Sequence, residues 1–204
     1  DADEPTKRLK IYFKNAYFES SDDGDITIKN SYDGLDYKDA SSVTLGSIAL
    51  QGIRRLKPTI GETFVVVGLG ILGQLTVQML KSNGCNVIGM DLDKSRCDIA
   101  IESGMDIAIS QEDEVKEDQI KRLTDGFGAD GVIITAATES NQLISSSFQM
   151  TRKKGRVVVV GDVGLGVKRQ DIYAKELDLF ISCSYGPGRY DSNYEEKGLD
   201  YPIS

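Results

Sequence analysis

The ten residues Phe64 to Gly73, F-V-V-V-G-L-G-I-L-G, constrain this chain more than any other stretch. Four apolar residues, three of them β-branched valines, run into Gly68, Gly70 and Gly73, and Gln74 to Lys81 continues in helix-compatible residues. That order reads as strand, tight turn, helix. Gly68 lets the chain reverse at the strand end, Gly70 removes the side chain that would block a diphosphate, and Gly73 lets the helix pack close to the strand. A diphosphate placed there meets unpaired backbone N–H groups and the positive end of the helix dipole, so no basic side chain is required. A glycine-rich turn with no ligand is the competing reading of so short a motif.

A second apolar run, Asn86 to Met90, leads into Asp91, 23 positions after Gly68. The dinucleotide fingerprint asks for an acid about 20 residues on, at the tip of the second strand, to accept hydrogen bonds from the adenosine ribose. Asp91 fills that place. Its negative charge would also repel a 2′-phosphate and so favours NAD over NADP. Arg96, one turn into the next helix, works against that preference.

Composition removes several function classes. At 204 residues, 40% hydrophobic and 27% charged, the chain has the make-up of a globular protein of one domain plus an appendage. A net charge of −8 argues against nucleic acid as a partner. No apolar run reaches the roughly 20 residues needed to cross a bilayer, and D-A-D-E-P-T-K-R lacks the apolar core of a signal peptide, so no membrane partner is expected. Cys85, Cys97 and Cys183 form no C-x-x-C pair and read as reduced thiols of a cytoplasmic protein. The absence of histidine is the sharpest exclusion: it rules out a Ser-His-Asp triad, a histidine proton relay and an imidazole zinc site within these residues.

After the first strand and helix the alternation repeats. A helix is expected over Lys94 to Ser103, a short strand near Asp106 to Ile109, a charged helix over Glu114 to Thr124, and a strand over Gly131 to Thr135. Helix Ser140 to Met150, strand Arg156 to Gly161, a short helix near Asp171 to Lys175 and strand Leu177 to Ser182 follow. The fold class is therefore α/β: a doubly wound, parallel, six-stranded Rossmann sheet in the order 3-2-1-4-5-6, covered on both faces. Upstream, Asp39 to Pro58 carries Val43, Ile48, Leu50, Ile53 and Leu56 roughly along one helical face, where Gly46 and Gly52 either weaken a helix or permit its close packing. Leu9 to Phe18 and Asp25 to Lys29 read as two strands of a small N-terminal β hairpin. The expected domains are residues 1–38, the β appendage, and residues 39–204, the dinucleotide fold.

The motifs A-S-S-V-T-L-G-S-I-A-L-Q-G, V-V-G-L-G-I-L-G-Q-L-T-V-Q-M-L and V-I-G-M-D-L-D-K-S-R resemble the cofactor domain of medium-chain dehydrogenases, the superfamily of zinc alcohol, threonine and sorbitol dehydrogenases. The segment Cys183 to Ile203 is most similar to two-part bacterial oxidoreductases of surface-polysaccharide synthesis. The resemblance implies that Gly68, Leu69, Gly70, Ile71 and Leu72 wrap a diphosphate and that Asp91 and Arg96 hold the adenosine ribose, with Gly73 and Leu92 also in the cofactor-binding set. It further implies that Thr135 and Ala136 border the adenine side, and that Val160, Gly161, Cys183 and Tyr185 meet the nicotinamide. NAD is the implied cofactor, with NADP second and no zinc in this chain. The implied partners are a small-molecule alcohol or carbonyl substrate, a nucleotide-linked sugar among the candidates, and a second copy of the chain through the apolar edge strand Leu177 to Ser184.

Only Asp1 to about Lys38 stands where the superfamily carries a catalytic domain, so no catalytic residue is named and the chain is read as a fragment or an unusual minimal member. Arg189 reads as a solvated loop arginine in preference to a clamp on an anionic substrate or the diphosphate, Cys85 and Cys97 as core thiols, and Ser140 with Asn141 as a helix start. A non-catalytic nucleotide-responsive or oligomerisation module is the alternative to a hydride-transfer oxidoreductase.

Overall fold

The computed structural model describes residues 12–13, 16–20, 26–30, 41–110, 116–189 and 191. They belong to two compact units, one comprising Asp1–Thr44 with Tyr185–Ser204 and the other Leu45–Ser184. In the first, β1 (Tyr12–Phe13), β2 (Ala16–Ser20) and β3 (Ile26–Asn30) form an antiparallel sheet in that order. Within the run Leu9 to Phe18, expected as one strand, the described residues form two: Tyr12 lies opposite Tyr17 and Phe13 opposite Ala16 in antiparallel register. The same unit contains a 3-10 turn, Pro187–Arg189, on which Arg189 is exposed.

The second unit contains nearly all of α1 (Val43–Leu56), then β4 (Thr63–Val67), α2 (Ile71–Ser82), β5 (Asn86–Met90), α3 (Lys94–Glu102), β6 (Ile107–Ile109), α4 (Lys116–Leu123), β7 (Ala129–Ile134), α5 (Gln142–Met150), β8 (Thr151–Val159), α6 (Arg169–Tyr173) and β9 (Asp178–Ile181). All six strands from β4 onward are parallel, in the order β6-β5-β4-β7-β8-β9. This is the doubly wound order expected from the alternation.

Its origin is visible within β4. Phe64 and Val66 face one layer with Ile53 and Leu56 of α1, Val77 and Leu80 of α2, and Cys97 and Ala100 of α3. Val65 and Val67 face the other with Ile120 of α4, and Ile144 and Phe148 of α5. Because both faces are covered, nearly every position of the strand is apolar. Full burial of each such side chain contributes about 1.5–3 kcal/mol.

Gly52 on α1 is needed for this packing. A Cβ there would stand 2.6 Å from Cγ2 of Val160 and 2.9 Å from Cδ1 of Ile133, so the helix can sit this close only without one. Gly46 has no such role, its nearest neighbour being Cε of Met79 at an ordinary 3.6 Å.

β8 starts five residues earlier than the apolar pattern indicates. The chain passes from α5 into the strand at Thr151, and the register against β7 shifts between Ala129 and Gly131 to accommodate Arg152 to Gly155. A long-range contact supports this junction: Nζ of Lys175 donates to the carbonyls of Phe148, Gln149 and Thr151 at 3.0, 2.7 and 2.7 Å, closing the end of α5. At the sheet's other flank, Asp106 accepts from Nζ of Lys81 and from the Val87 N–H, all at 2.7 Å, which pins the start of β6 to β5. Burial alone would raise the Asp106 pKa; the Lys81 ammonium and the Val87 amide outweigh it and hold the carboxyl below its ordinary value.

Candidate functional site: the crevice at the strand carboxyl ends

β4 and β7 are neighbours from which the chain winds in opposite directions, so the loops leaving them part and open a crevice between them. Gly68, Leu69 and Gly70 form the first loop. Gly68 has φ +91°, and a Cβ on it would lie 2.7–2.8 Å from the backbone and side chain of Ala136. Glycine is therefore demanded twice, by conformation and by the close passage of the loop after β7. Gly73 is demanded by contact alone: its Cβ would overlap the Gly68 carbonyl and lie 3.1 Å from Oγ1 of Thr135. Gly70 differs from both, since a Cβ there meets nothing within 4 Å. It faces open space at the N-cap of α2, where the chain is extended (φ −65°, ψ −170°).

The first i→i−4 bond of α2 runs from Gln74 N–H to the Gly70 carbonyl at 2.9 Å. The N–H groups of Ile71, Leu72 and Gly73 precede it and have no acceptor among the described residues, as the geometry of a helix start requires. No acidic side chain occupies the first turn. What results is a set of bare donors at the positive end of a helix dipole, next to a position without a side chain.

Leu69 is the exception in this loop. Its N–H donates to Oδ2 of Asp91 at 2.6 Å, while Oδ1 of Asp91 accepts from Asp93 N–H at 2.9 Å. The Asp91 side chain, only 8% exposed, turns back onto the glycine loop and ties the end of β5 to it. Leu69, expected among the residues that wrap the diphosphate, thus has its N–H engaged by Asp91. Leu92 beside it is 68% exposed. Arg96 places Nη1 3.7 Å from Asp91 and Nε 3.6 Å from Asp93. Asp93 caps α3, Oδ1 accepting from the Ser95 amide at 2.9 Å and the Ser95 hydroxyl at 2.7 Å, and these bonds hold its carboxyl below the ordinary range.

Across the crevice, the Thr135 hydroxyl donates to the Gly68 carbonyl at 2.6 Å, and the Thr135 and Ala136 amides donate to Val67. Gly161, after β8, packs against Ala136 so tightly that a Cβ would overlap the Ala136 carbonyl; the Val160 and Gly161 amides both donate to Ile134. Val160 turns its side chain toward Gly52 of α1, leaving its backbone at the strand end. Past β9, Ser182 N–H reaches the Val159 carbonyl at 2.8 Å and Cys183 is exposed.

Gly68 to Gly73, Asp91, Arg96, Thr135, Ala136 and Gly161 are thus linked by contact around one loop cluster, with Leu92 and Val160 next to them in sequence. Cys183 stands at the end of the outer strand. Tyr185 falls in the other unit.

Three further residues fix neighbouring segments in ways not read from the sequence. Gln74 donates its side-chain amide to Leu69 O at 3.0 Å and Arg96 O at 2.8 Å, stitching α2 to α3; a lone glutamine carries no local sign of such a role. Asp93 does carry one, the D-x-S pattern of a helix cap. Asn141, expected only to start a helix, makes no side-chain cap; its Oδ1 accepts from Gly166 N–H at 2.7 Å and holds the loop after β8 against α5.

The sequence matches the family described as zinc-binding dehydrogenase over residues 72–197, more than half of the chain. D-guloside 3-dehydrogenase of Escherichia coli K12 is 36% identical over 104 residues, covering 50% of this chain and 30% of its own. Sorbitol dehydrogenase of Halalkalibacterium halodurans is 33% identical over 164 residues, 78% of this chain and 47% of its own. In three dimensions, the structure described as a short chain alcohol dehydrogenase of E. coli CFT073 complexed with NADH superposes with a TM-score of 0.69 at 24% identity, over 85% of this chain and 54% of that one. The fold is the Rossmann α/β architecture. The chain belongs to the zinc-binding dehydrogenase family, and it spans less than half the length of these two sequence relatives.

Zinc, which the family name implies, does not fit the residues described. Cys85 and Cys97 are buried, burial raising both thiol pKa values, while Cys183 is exposed. Among the described residues no group of three His, Cys, Asp or Glu side chains converges as a metal site would. A dinucleotide does fit, through the bare amides of Ile71, Leu72 and Gly73 beneath the vacant Cβ position of Gly70. Among the described residues no helix is long and apolar enough to cross a membrane.

Proposed function

We propose that this chain is the NAD(H)-binding domain of an oxidoreductase that moves hydride to or from an alcohol or carbonyl carbon. The observation that carries the reading is the α2 terminus: three donors without acceptors among the described residues, open space at Gly70, and a fixed carboxylate at Asp91 beside them. The amides of Ile71, Leu72 and Gly73 hold the diphosphate. Each oxygen of Asp91 accepts one backbone N–H and keeps lone-pair capacity for a ribose hydroxyl. Leu92, exposed and apolar, offers a surface to adenine, and the backbone of Val160, Gly161 and Cys183 orients the nicotinamide ring. When bound, the nicotinamide supplies the hydride chemistry, and this domain supplies position.

Catalytic acid–base groups and any metal lie outside these residues in this reading, so the chain alone binds cofactor and turns over no substrate. Residues 39–204 form the binding domain and residues 1–38 an appendage to it. A nucleotide-linked sugar remains our candidate substrate.

Titration with NADH, followed by calorimetry or quenching of reduced-nicotinamide fluorescence, tests the assignment. Asp91→Ala is expected to bind at least about tenfold more weakly, since a charge-assisted hydrogen bond is worth about 1.5–3 kcal/mol and the same change frees the Leu69 amide. Equal affinities would remove Asp91 from the site.

We further propose that β9, an edge strand whose Ile181 is 50% exposed, pairs with a second copy of the chain. Light scattering is expected to give twice the chain mass at micromolar concentration. A monomer mass there ends that part of the proposal.

A further inference from the structure

Arg96 places its guanidinium between two carboxylates, 3.7 Å from Asp91 and 3.6 Å from Asp93. One cation between two anions leaves the trio with a net charge of −1, so the arginine brings no surplus positive charge to the ribose end of the crevice. Asp93 is also not free to swing away. Its Oδ1 is held by both the amide and the hydroxyl of Ser95, which leaves Oδ2 directed at Arg96. The two acids differ in exposure: the Asp91 side chain is 8% exposed and committed to the glycine loop, whereas Asp93 is 51% exposed and faces solvent beside Arg96.

We infer that Asp93 is a specificity-determining residue: its capped carboxylate neutralises Arg96 and, together with Asp91, excludes a 2′-phosphorylated dinucleotide. This rests on the dinucleotide reading of the site. A 2′-phosphate carries about −1.5 to −2 charges near neutral pH. With both acids in place it meets two fixed negative groups and an arginine already paired. Without Asp93, Arg96 keeps one partner and can fork onto the phosphate, the geometry at which guanidinium excels. Asp91 alone therefore does not set the preference. Arg96, which taken singly would favour NADP, is silenced by the residue three positions before it.

The test uses Asp93→Asn, because asparagine caps a helix about as well as aspartate and changes the charge while keeping the shape. Titrations of the parent, Asp93→Asn, Arg96→Gln and the double variant with NADH and with NADPH give the result. In Asp93→Asn the ratio of NADPH to NADH affinity is expected to rise about tenfold, as removing one unit charge a few ångströms from a phosphate near the surface should do. NADH affinity should stay within about twofold and the melting midpoint should be unchanged. Arg96→Gln added to Asp93→Asn should cancel the gain, which isolates the coupling.

An unchanged ratio in Asp93→Asn overturns the inference, as does a gain that survives removal of Arg96, since Lys94 or a general field effect would then be responsible. A parent that binds NADH with a ratio insensitive to Asp93 refutes this inference and leaves the site reading intact. A parent that binds neither dinucleotide refutes both.

Discussion

Gly70→Val is expected to fold like the parent, with a melting midpoint within about 2 °C, and to lose NADH affinity by at least about 100-fold. The first half follows from empty space: a Cβ at Gly70 meets nothing within 4 Å, and the backbone there is extended, a conformation valine adopts readily. The second half follows from what borders that space. The γ-methyl groups would stand beside the amides of Ile71 and Leu72, which have no acceptor among the described residues. A diphosphate held by backbone donors must come within about 3 Å of them, and a branched side chain prevents that. Differential scanning calorimetry with NADH titration checks both halves. A variant that binds like the parent would mean that the helix start does not cradle phosphate.

Gly73→Ala, three residues further on, should behave in the opposite way. An exposed helix interior would gain about 1 kcal/mol from the change. Here the added methyl would overlap the Gly68 carbonyl, lie 2.9 Å from its carbon and stand 3.1 Å from Oγ1 of Thr135. Backbone cannot yield as a flexible side chain would, and Gly68 is itself fixed against Ala136, so the overpacking outweighs the propensity. We expect a net loss of about 3 kcal/mol, at the upper end for added core methylenes, which lowers the melting midpoint by roughly 6–12 °C in a domain of this size. Urea denaturation measures it. A neutral or stabilising effect would show that α2 can move away from β4 at little cost. The contrast between the two glycines separates the ligand site from its scaffold within a single motif.

The medium-chain dehydrogenase resemblance and the doubly wound sheet were legible early, because the signals involved are local. Apolar residues at every position of Phe64 to Val67 indicate a strand buried on both faces, the glycine spacing marks where it turns, and Asp91 follows at the distance a second strand imposes. The family match over residues 72–197 and the observed strand order agree with that reading.

The start of β8 was not legible. Arg152, Lys153 and Lys154 look like loop residues; they lie in the strand beside a junction that Lys175, about twenty positions later, closes by bonding the Phe148 and Thr151 carbonyls. Nor does composition distinguish Gly46 from Gly52; only the approach of Val160 and Ile133 does.

Pattern and spacing along the chain determined that this protein is a parallel α/β sheet with a glycine turn and an acid at the second strand's tip, because strand burial, turn conformation and helix starts are decided by neighbours a few residues apart. The tertiary structure alone decided what those groups do to one another. It turned Asp91 inward onto Leu69, set Arg96 between two acids, and left Gly70 facing open space while Gly73 was pressed against backbone. Those outcomes depend on distances between segments that the chain brings together only when it folds.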